Sequence, residues 1–368
     1  MIITVLFYVF VAAAIIQVLY YIAFSSFALA KSSVKKEKES IPVSVIICAK
    51  NEAETLQKMI PAIISQEYSR FEVVLINDAS SDNTLEIMQA FEQAHQHVKV
   101  VNVDHNEAFW GSKKYALTLG IKAASYEHLL FTDADCQPIS NTWITEMTHQ
   151  FDKTTQLILG YGSYKRVANS FTNLLVRYET LLTAVQYFSY ALLGNPYMGV
   201  GRNLAYTKTA FFKVNGFVKH LHVRSGDDDL FVQEVASKKN TAISFSQNSF
   251  TESIAPKNLK TWFRQKRRHT STAKHYRFQH QFLLGLFFIS KFLFFALFTA
   301  LLFFFDWKVL MTILAGYYLI QFLVIGFSAK KLRDVKVIAF LPFLEISLLI
   351  FHFAIFMANT VSKPDHWK

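Results

Sequence analysis

The sequence predicts an α/β domain of the doubly wound class that is attached to a membrane by apolar helices. Between residues 43 and 133, continuous apolar runs alternate with segments of helical periodicity, which is the pattern of a parallel sheet covered by helices. The 368-residue chain is 52% hydrophobic and only 18% charged. Ordinary soluble domains carry about 25% charged residues. The deficit is concentrated in the N-terminal segment and the last quarter, so the middle of the chain is expected to be the globular part.

The first apolar run predicts a strand buried on both faces of the sheet. It covers Val43 to Cys48, and Asn51 and Glu52 then open a helix with apolar positions three and four residues apart. Pro61 falls inside this helix and is expected to kink or shorten it.

The alternation continues to residue 133. The further predicted elements are a strand Val73–Ile76, a helix with Ile87 and Met88 on one face, a strand Val98–Val103, a helix Ser112–Ala123 and a strand Leu129–Thr132. Doubly wound sheets bind ligands at the carboxyl ends of their strands. Asn51, Asp78 and Asp133 all fall at such ends, and we therefore expect them in a binding site.

The rest of the domain contains strands near Leu157–Tyr161 and Leu204–Tyr206 with a long aromatic helix, Phe171–Leu193, between them. Two interpretations of that helix stay open. It lies against the membrane face, or it is an ordinary core helix.

Four segments are apolar enough to cross a bilayer, which needs roughly 20 such residues in a helix. They are residues 1–24, 282–305, 309–327 and 337–358, and they leave 40–280 as the globular domain with membrane-interface helices. The first has no basic residue before its apolar stretch and is too long for a signal peptide, which favours an anchor. Cys48 and Cys136 have no metal-type spacing and are expected to be buried thiols.

Basic residues indicate the orientation, because Lys and Arg concentrate on cytoplasmic flanks. Lys31, Lys35 and Lys36 follow the first span, and Lys330 to Lys336 separate the third from the fourth. This pattern predicts that the 40–280 domain is cytoplasmic at the cell (inner) membrane, with both termini outside. The net charge of +11 suits a membrane surface or a diphosphate, and no nucleic-acid motif is present.

Two charges lie inside the apolar spans. Lys291 and Glu345 fall at nearly equal depth in spans that run in the same direction, and charges at such depth usually pair or serve function. The sequence therefore predicts a contact between them.

Three clusters carry chemistry. Asp133 and Asp135 end a buried strand and can face one Mg²⁺ or Mn²⁺ ion, which prefers oxygen ligands. Asp227, Asp228 and Asp229 begin a helix, and one of them suits the role of general base. Gln265, Arg268 and His269 share one helical face, where Arg can stabilise a departing diphosphate, although the same segment also suits a basic membrane-surface helix.

Five motifs in this order resemble glycosyltransferase family 2. They are the segments Pro42–Glu52, Val74–Thr84, Thr132–Asp135, Gly226–Leu230 and Gln265–His269, and the resemblance covers roughly Pro42 to Lys274. It implies a GT-A fold, Rossmann-like, and an inverting reaction. His269 stands where tryptophan is usual, and the acidic motif is Asp-Asp-Asp where the family has Glu-Asp.

The resemblance also implies roles for individual residues. Glu52 and Asp78 would contact the nucleoside, and Lys113 would lie near the nucleotide. Asp133 would lie near the sugar and diphosphate, and Asp135 would ligate the metal. Asp228 best matches the base, with Asp227 as the alternative.

The expected function is metal-dependent transfer of a sugar from a nucleotide-sugar donor to a hydroxyl of a lipid or lipid-linked glycan. A polyprenyl phosphate acceptor is the alternative, but it is already anionic and needs no general base. A different nucleotide-dependent transferase and a non-enzymatic membrane protein also stay open. Three C-terminal spans do not favour a processive polymer channel in a single chain.

Overall fold

The computed structural model describes residues 1–32, 40–104, 113–223 and 225–362. Lys35, Lys36 and Ser112, which entered the sequence interpretation, lie outside these residues. The strands are β1 (Val43–Ala49), β2 (Phe71–Asp78), β3 (Val98–Val103), β4 (His128–Phe131), β5 (Cys136–Pro138), β6 (Leu157–Leu159), β7 (Gly162–Tyr164), β8 (Leu204–Thr207), β9 (Thr241–Ile243) and β10 (Thr251–Ser253). The helices are α1 (Ile2–Leu29), α2 (Ala53–Ile64), α3 (Thr84–Ala94), α4 (Lys113–Ala123), α5 (Trp143–Thr148), α6 (Phe171–Leu192), α7 (Lys208–Lys213), α8 (Asp229–Val235), α9 (Leu259–Thr270), α10 (Phe278–Leu301), α11 (Trp307–Lys331) and α12 (Leu341–Val361).

The main sheet has seven strands in the order β3-β2-β1-β4-β8-β6-β9. The first four strands are parallel, as the alternation of strands and helices predicts. β8 runs antiparallel to both of its neighbours, β4 and β6. A small sheet, β5-β10-β7, lies beside the main one. The α/β class and the positions of the predicted strands are confirmed.

The local elements form for the reasons that their sequences suggest. β1 is buried along almost its whole length because α-helices cover both faces of the sheet. α2 continues past Pro61 and ends one turn later at Ile64, so the proline shortens the helix and does not split it. Both cysteines are free thiols.

Four helices are long and apolar enough to cross a membrane, the last of them counted with the short 3-10 segment Val335–Phe340 that leads into α12. Large apolar side chains lie exposed on all of them, which fits membrane anchoring.

α6 lies between the sheet and the apolar helices. It packs on the sheet like a core helix on one side and on the apolar helix α1 on the other. Its Tyr187 hydroxyl donates to the carbonyl of Gly160 at 2.7 Å on the sheet side. Its Ser189 hydroxyl donates to the carbonyl of Phe24 in α1 at 3.2 Å, and the Phe188 ring lies 5.0 Å from that of Phe27.

The predicted contact between the two intramembrane charges is confirmed. Lys291 Nζ donates to Glu345 Oε1 at 2.6 Å, and both side chains are buried. Gln321 Nε2 donates to the same oxygen at 2.6 Å, and the Tyr317 hydroxyl also donates to it. The pair is therefore held in a hydrogen-bonded network, as buried charges require.

Candidate active site

The candidate site lies at the carboxyl ends of the central parallel strands. Asp78 ends β2, Asn51 follows β1 and Asp133 follows β4. The Asn51 side-chain oxygen accepts a hydrogen bond from the Ser81 backbone N–H at 2.8 Å, which ties the loop after β1 to the loop after β2. Asn51 adopts the left-handed conformation at φ 55°, which an asparagine tolerates better than most residues.

Lys113, at the start of α4, joins two acidic motifs that are far apart in sequence. Its Nζ lies 2.8 Å from Asp133 Oδ1 and 3.2 Å from Asp227 Oδ2. Burial alone would raise the pKa of Asp227, but the ammonium group of Lys113 outweighs it and holds that pKa below its ordinary value. Asp227 is thus a fixed anion in an ion-pair network.

Asp228 has a different environment from its neighbour. It lines the same cavity as Lys113 and Asp133. Its two oxygens accept hydrogen bonds from the backbone N–H groups of Gly201 at 2.8 Å and Asp229 at 2.7 Å. Burial, followed by the nearby carboxylates of Asp229 and Asp227, raises the pKa of Asp228 to about 7. A carboxyl group with that pKa can take up a proton near neutral pH.

Asp229 is held by hydrogen bonds inside the protein and does not face the cavity. Its side chain is buried, and its Oδ2 accepts hydrogen bonds from the Tyr276 hydroxyl at 2.6 Å and from the Thr272 hydroxyl. It therefore ties α8 to the segment that leads into α10. The three aspartates thus have different environments. Asp227 is paired with Lys113, Asp228 lines the cavity, and Asp229 joins two segments of the chain.

Asp133, Asp135 and Cys136 form a candidate metal site, because one ligand atom from each lies within 4.8 Å of the others. The Cys136 thiol is buried, which raises its pKa well above the ordinary value, and it donates to Asp135 Oδ1 at 3.4 Å. A protonated thiol is not a metal ligand. The remaining donors are carboxylate oxygens, the donor type that suits hard divalent cations.

α9 contributes the basic side of the site. Burial lowers the pKa of the Arg268 guanidinium, and the carboxylates of Asp227 and Asp133 act in the opposite direction, so Arg268 lies within electrostatic reach of both acidic motifs. His269, one residue further, is solvent-exposed. Among the described residues, Gln265 Oε1 is a buried oxygen with no hydrogen-bond partner. The helix thus brings Arg268 to the acidic cluster.

The remaining predicted residue, Glu52, caps the start of α2 beside the loop that follows β2. Its backbone N–H donates to Thr84 Oγ1 at 2.9 Å. It therefore lies at the same sheet edge as Asn51 and Asp78.

Two basic residues that the sequence interpretation missed help to build the site. Lys114 is buried and donates to the carbonyls of His220, Val223 and Ser225 at 2.8, 2.9 and 2.8 Å, which anchors the loop before the acidic triplet. The sequence shows Lys114 only as a second lysine, directly after Lys113, at the start of a predicted helix.

Arg202 is the second missed residue. Its guanidinium lies 4.2 Å from the Tyr164 ring centroid and donates to Ser253 Oγ at 3.0 Å, beside the Asp133–Asp135 loop. Its carbonyl accepts a hydrogen bond from Thr132 at 3.0 Å. The signal for it was an Arg-Asn pair after Gly199-Val200-Gly201, directly before an apolar strand.

Two family models match the chain. One, described as glycosyl transferase family 2, matches residues 44–211, and the other, described as glycosyl transferase family group 2, matches residues 141–356, which is more than half of the chain.

Curated relatives match a shorter segment. A poly-beta-1,6-N-acetyl-D-glucosamine synthase from Staphylococcus epidermidis is 40% identical over 103 residues, 28% of this chain and 24% of the relative. Glycosyltransferase AglE from Haloferax volcanii is 36% identical over 98 residues, 26% of this chain and 31% of the relative. The matched segments thus span less than a third of the length of each of these relatives.

Among solved structures, the mannosyltransferase PcManGT from Pyrobaculum calidifontis, in complex with GDP-Man and Mn2+, is similar with a TM-score of 0.62 and 17% identity. The match covers 92% of this chain and 98% of that one. At this identity the likeness shows the fold, which is the GT-A arrangement.

Proposed function

Because the chain belongs to glycosyl transferase family group 2, we propose that this glycosyltransferase moves a sugar from a nucleotide-sugar donor to a hydroxyl acceptor held at the membrane. The observation that carries the proposal is the convergence of Lys113, Asp133, Asp227, Asp228 and Arg268 at the carboxyl ends of the parallel strands.

The donor would bind at this edge of the sheet. Asn51, Glu52 and Asp78 lie in the loops after β1 and β2 and would contact the nucleoside. Before the donor binds, Lys113 forms ion pairs with Asp133 and Asp227 and offsets one of their two negative charges. Its ammonium group can then turn to the donor diphosphate, where Arg268 would supply a second positive charge.

Asp133 and Asp135 would hold a divalent cation, for which Mg²⁺ or Mn²⁺ fits the oxygen donors. When bound, such a cation neutralises charge on the donor diphosphate. A mannosyltransferase of the same fold carries Mn2+ in its structure, which supports this choice.

Asp228 is the proposed base. Its carboxylate takes the proton of the acceptor hydroxyl as the oxygen attacks the anomeric carbon, the bond from that carbon to the diphosphate breaks, and the nucleoside diphosphate leaves. This single displacement inverts the anomeric configuration. Asp227 is the weaker candidate because its carboxylate is already paired with Lys113. Gln265 and His269 share a face of α9 with Arg268 and would contact the acceptor, and the unpartnered oxygen of Gln265 can accept from a sugar or lipid hydroxyl.

A base with a pKa near 7 favours a hydroxyl over a polyprenyl phosphate, which is anionic at neutral pH without help. The four apolar helices favour a lipid or lipid-linked glycan as the molecule that carries this hydroxyl. Basic residues near the ends of α1 and α11 support a cytoplasmic catalytic domain at the cell (inner) membrane, on the side where nucleotide sugars are made.

The test is a thermal-shift panel of nucleoside diphosphates with and without Mn²⁺, followed by transfer assays with the matching labelled nucleotide sugar. Wild type is compared with Asp135→Ala. The matched control is Glu86→Ala, which removes an exposed carboxylate of α3.

We expect one nucleotide to raise the melting temperature of wild type and of the control only when the metal is present, and Asp135→Ala to lose that shift. Equal shifts in all three proteins would reject the metal site. The absence of any shift and of any labelled product across the panel would reject the glycosyltransfer proposal.

A further inference from the structure

Three of the apolar helices form one bundle whose two ends are easily recognised. At the end next to the catalytic domain, Lys331 Nζ of α11 donates to the carbonyl of Phe27 in α1 at 2.7 Å. At the opposite end, the Phe7 ring of α1 stacks on Phe305 in the loop between α10 and α11, with ring centroids 4.2 Å apart. α1, α10 and α11 therefore run the full length of the bundle.

α12 does not end at the far end of this bundle, because its last turn is bound to α9. Arg267 Nε donates to Asn359 Oδ1 at 2.8 Å, and Arg267 Nη2 donates to the carbonyl of Ala358 at 3.0 Å. Asn359 Nδ2 returns a bond to Thr270 Oγ1 at 3.1 Å. Earlier in the helix, Phe351 stacks on Trp262 with ring centroids 4.0 Å apart. The last turns of α12 thus lie along α9, the helix that brings Arg268 to the acidic cluster.

The depth of Glu345 makes this ending incompatible with a fourth crossing. At 1.5 Å per residue, Lys291 lies about 20 Å along α10 from its start at Phe278. The 2.6 Å bond to Lys291 therefore places Glu345 deep in the bundle. Asn359 is roughly 21 Å further along α12. A helix that continued outward would bring Asn359 to the level of Phe305, but Asn359 instead contacts Thr270.

The start of α12 lies on the catalytic side as well. Asp334, just before the 3-10 segment, forms a buried ion pair with Arg177 of α6. The chain therefore enters the bundle through residues 335–340, reaches Glu345, and returns along α9.

One face of α12 is left largely uncovered by the residues that the structure describes, although Phe343 and Phe353 each contact one neighbouring ring. Exposed apolar side chains recur along this face at helical spacing: Phe343, Ile346, Ile350, Phe353, Met357 and Val361. Leu344, Leu348 and Ile355 are buried on the opposite side. Because the exposed surfaces of α1, α10 and α11 are also apolar, the occupant that fits this face is the acyl region of the catalytic-side leaflet.

We propose that Val335–Val361 is a re-entrant element that enters the bilayer from the catalytic side and returns to it, with its lipid-facing stripe in one leaflet and its end fastened to α9 by Arg267. The chain then crosses the membrane three times, and residue 362 lies on the same side as the active site. This differs from the topology that charge and hydropathy predict, in which the chain ends outside.

Cross-linking in native membranes tests the proposal on the full chain. Thr270→Cys/Asn359→Cys is treated with a short bifunctional thiol reagent, and linked peptides are identified by mass spectrometry. The control is Thr270→Cys/Phe304→Cys, because Phe304 is exposed beyond the far end of α10. The single variants report any reaction with Cys48 or Cys136.

We expect a link between positions 270 and 359 and none between 270 and 304. In sealed vesicles, an impermeant maleimide should label Ser362→Cys, at an exposed position just beyond α12, from the side that exposes the catalytic domain and Phe304→Cys from the other side. Labelling of both from the same side, or no 270–359 link in a chain that melts like wild type, would overturn the proposal. Neither measurement depends on enzymatic activity, so the result is independent of the proposed function.

Discussion

Replacing Asp228 by Asn removes the proposed base with almost no change in shape. The Asn side-chain oxygen can still accept from one of the two N–H groups, of Gly201 or Asp229, that hold Asp228 in place. Positioned general bases contribute about 10²–10⁴ to rate. We therefore expect kcat to fall by about that factor. The Kd of the donor should change less than about threefold, because the base acts on the acceptor and does not hold the donor in the ground state.

The pH dependence of the wild type follows from the environment of the same carboxyl. Burial and the two neighbouring carboxylates raise the pKa of Asp228 to about 7. The active form is the carboxylate, so activity is full above this pKa and lost as the pH falls through it. Below pH 7, kcat/KM should fall about tenfold per pH unit, or roughly a hundredfold at pH 5.

The assay is transfer of labelled sugar to a hydroxyl acceptor between pH 5 and 8, with donor binding measured separately by calorimetry. Glu234→Gln is the matched control, because Glu234 is a carboxylate of α8 that pairs with Lys219 and does not line the cavity. It should retain the wild-type rate and pH profile. A flat wild-type profile, or an Asp228→Asn enzyme with more than a tenth of wild-type kcat, would refute the assignment of Asp228 as base.

Three further predictions concern lysines. Lys113→Ala removes the cation between Asp133 and Asp227 and should weaken donor binding about tenfold to a hundredfold, the loss of one charge-assisted hydrogen bond; unchanged donor Kd in calorimetry would contradict this. Lys114→Met leaves three buried carbonyls without a donor and should lower the free energy of unfolding by about 2–4 kcal/mol. This loss already allows for the gain from removing a buried ammonium group, whose pKa burial lowers to about 8. Thermal unfolding measures the change, and an unchanged melting temperature would contradict it. Lys291→Met leaves the buried Glu345 without its cation and should lower the free energy of unfolding by about 3–5 kcal/mol. Adding Glu345→Gln removes the unpaired charge and should recover most of that loss. Equal melting temperatures for the single and double variants in detergent would argue against the pair.

The sequence was a good guide wherever local pattern carries the information. Buried parallel strands are continuous apolar runs, so β1, β3 and β8 lie where their sequences indicate. Polar residues that follow such strands must meet at one sheet edge, so the sequence alone predicts that Asn51, Asp78 and Asp133 lie close together. Equal depth in apolar spans likewise identified the Lys291–Glu345 pair.

The tertiary structure decided what depends on contacts between distant segments. Three adjacent aspartates look alike in sequence, and only the approach of Lys113, Gly201 and Tyr276 gives each a separate environment. Lys114 and Arg202 carry no signal stronger than an ordinary basic residue until their partners are known.

The course of α12 depends on the same distinction. Length and composition show only whether a helix is long and apolar enough to cross a bilayer, and α12 with the segment before it is long and apolar enough. The direction of a helix is set by what its two ends bind, here Arg177 beside Asp334 and Arg267 beside Asn359. Hydropathy therefore determined that this chain meets the membrane, and packing against α6 and α9 decided how its last helix does so.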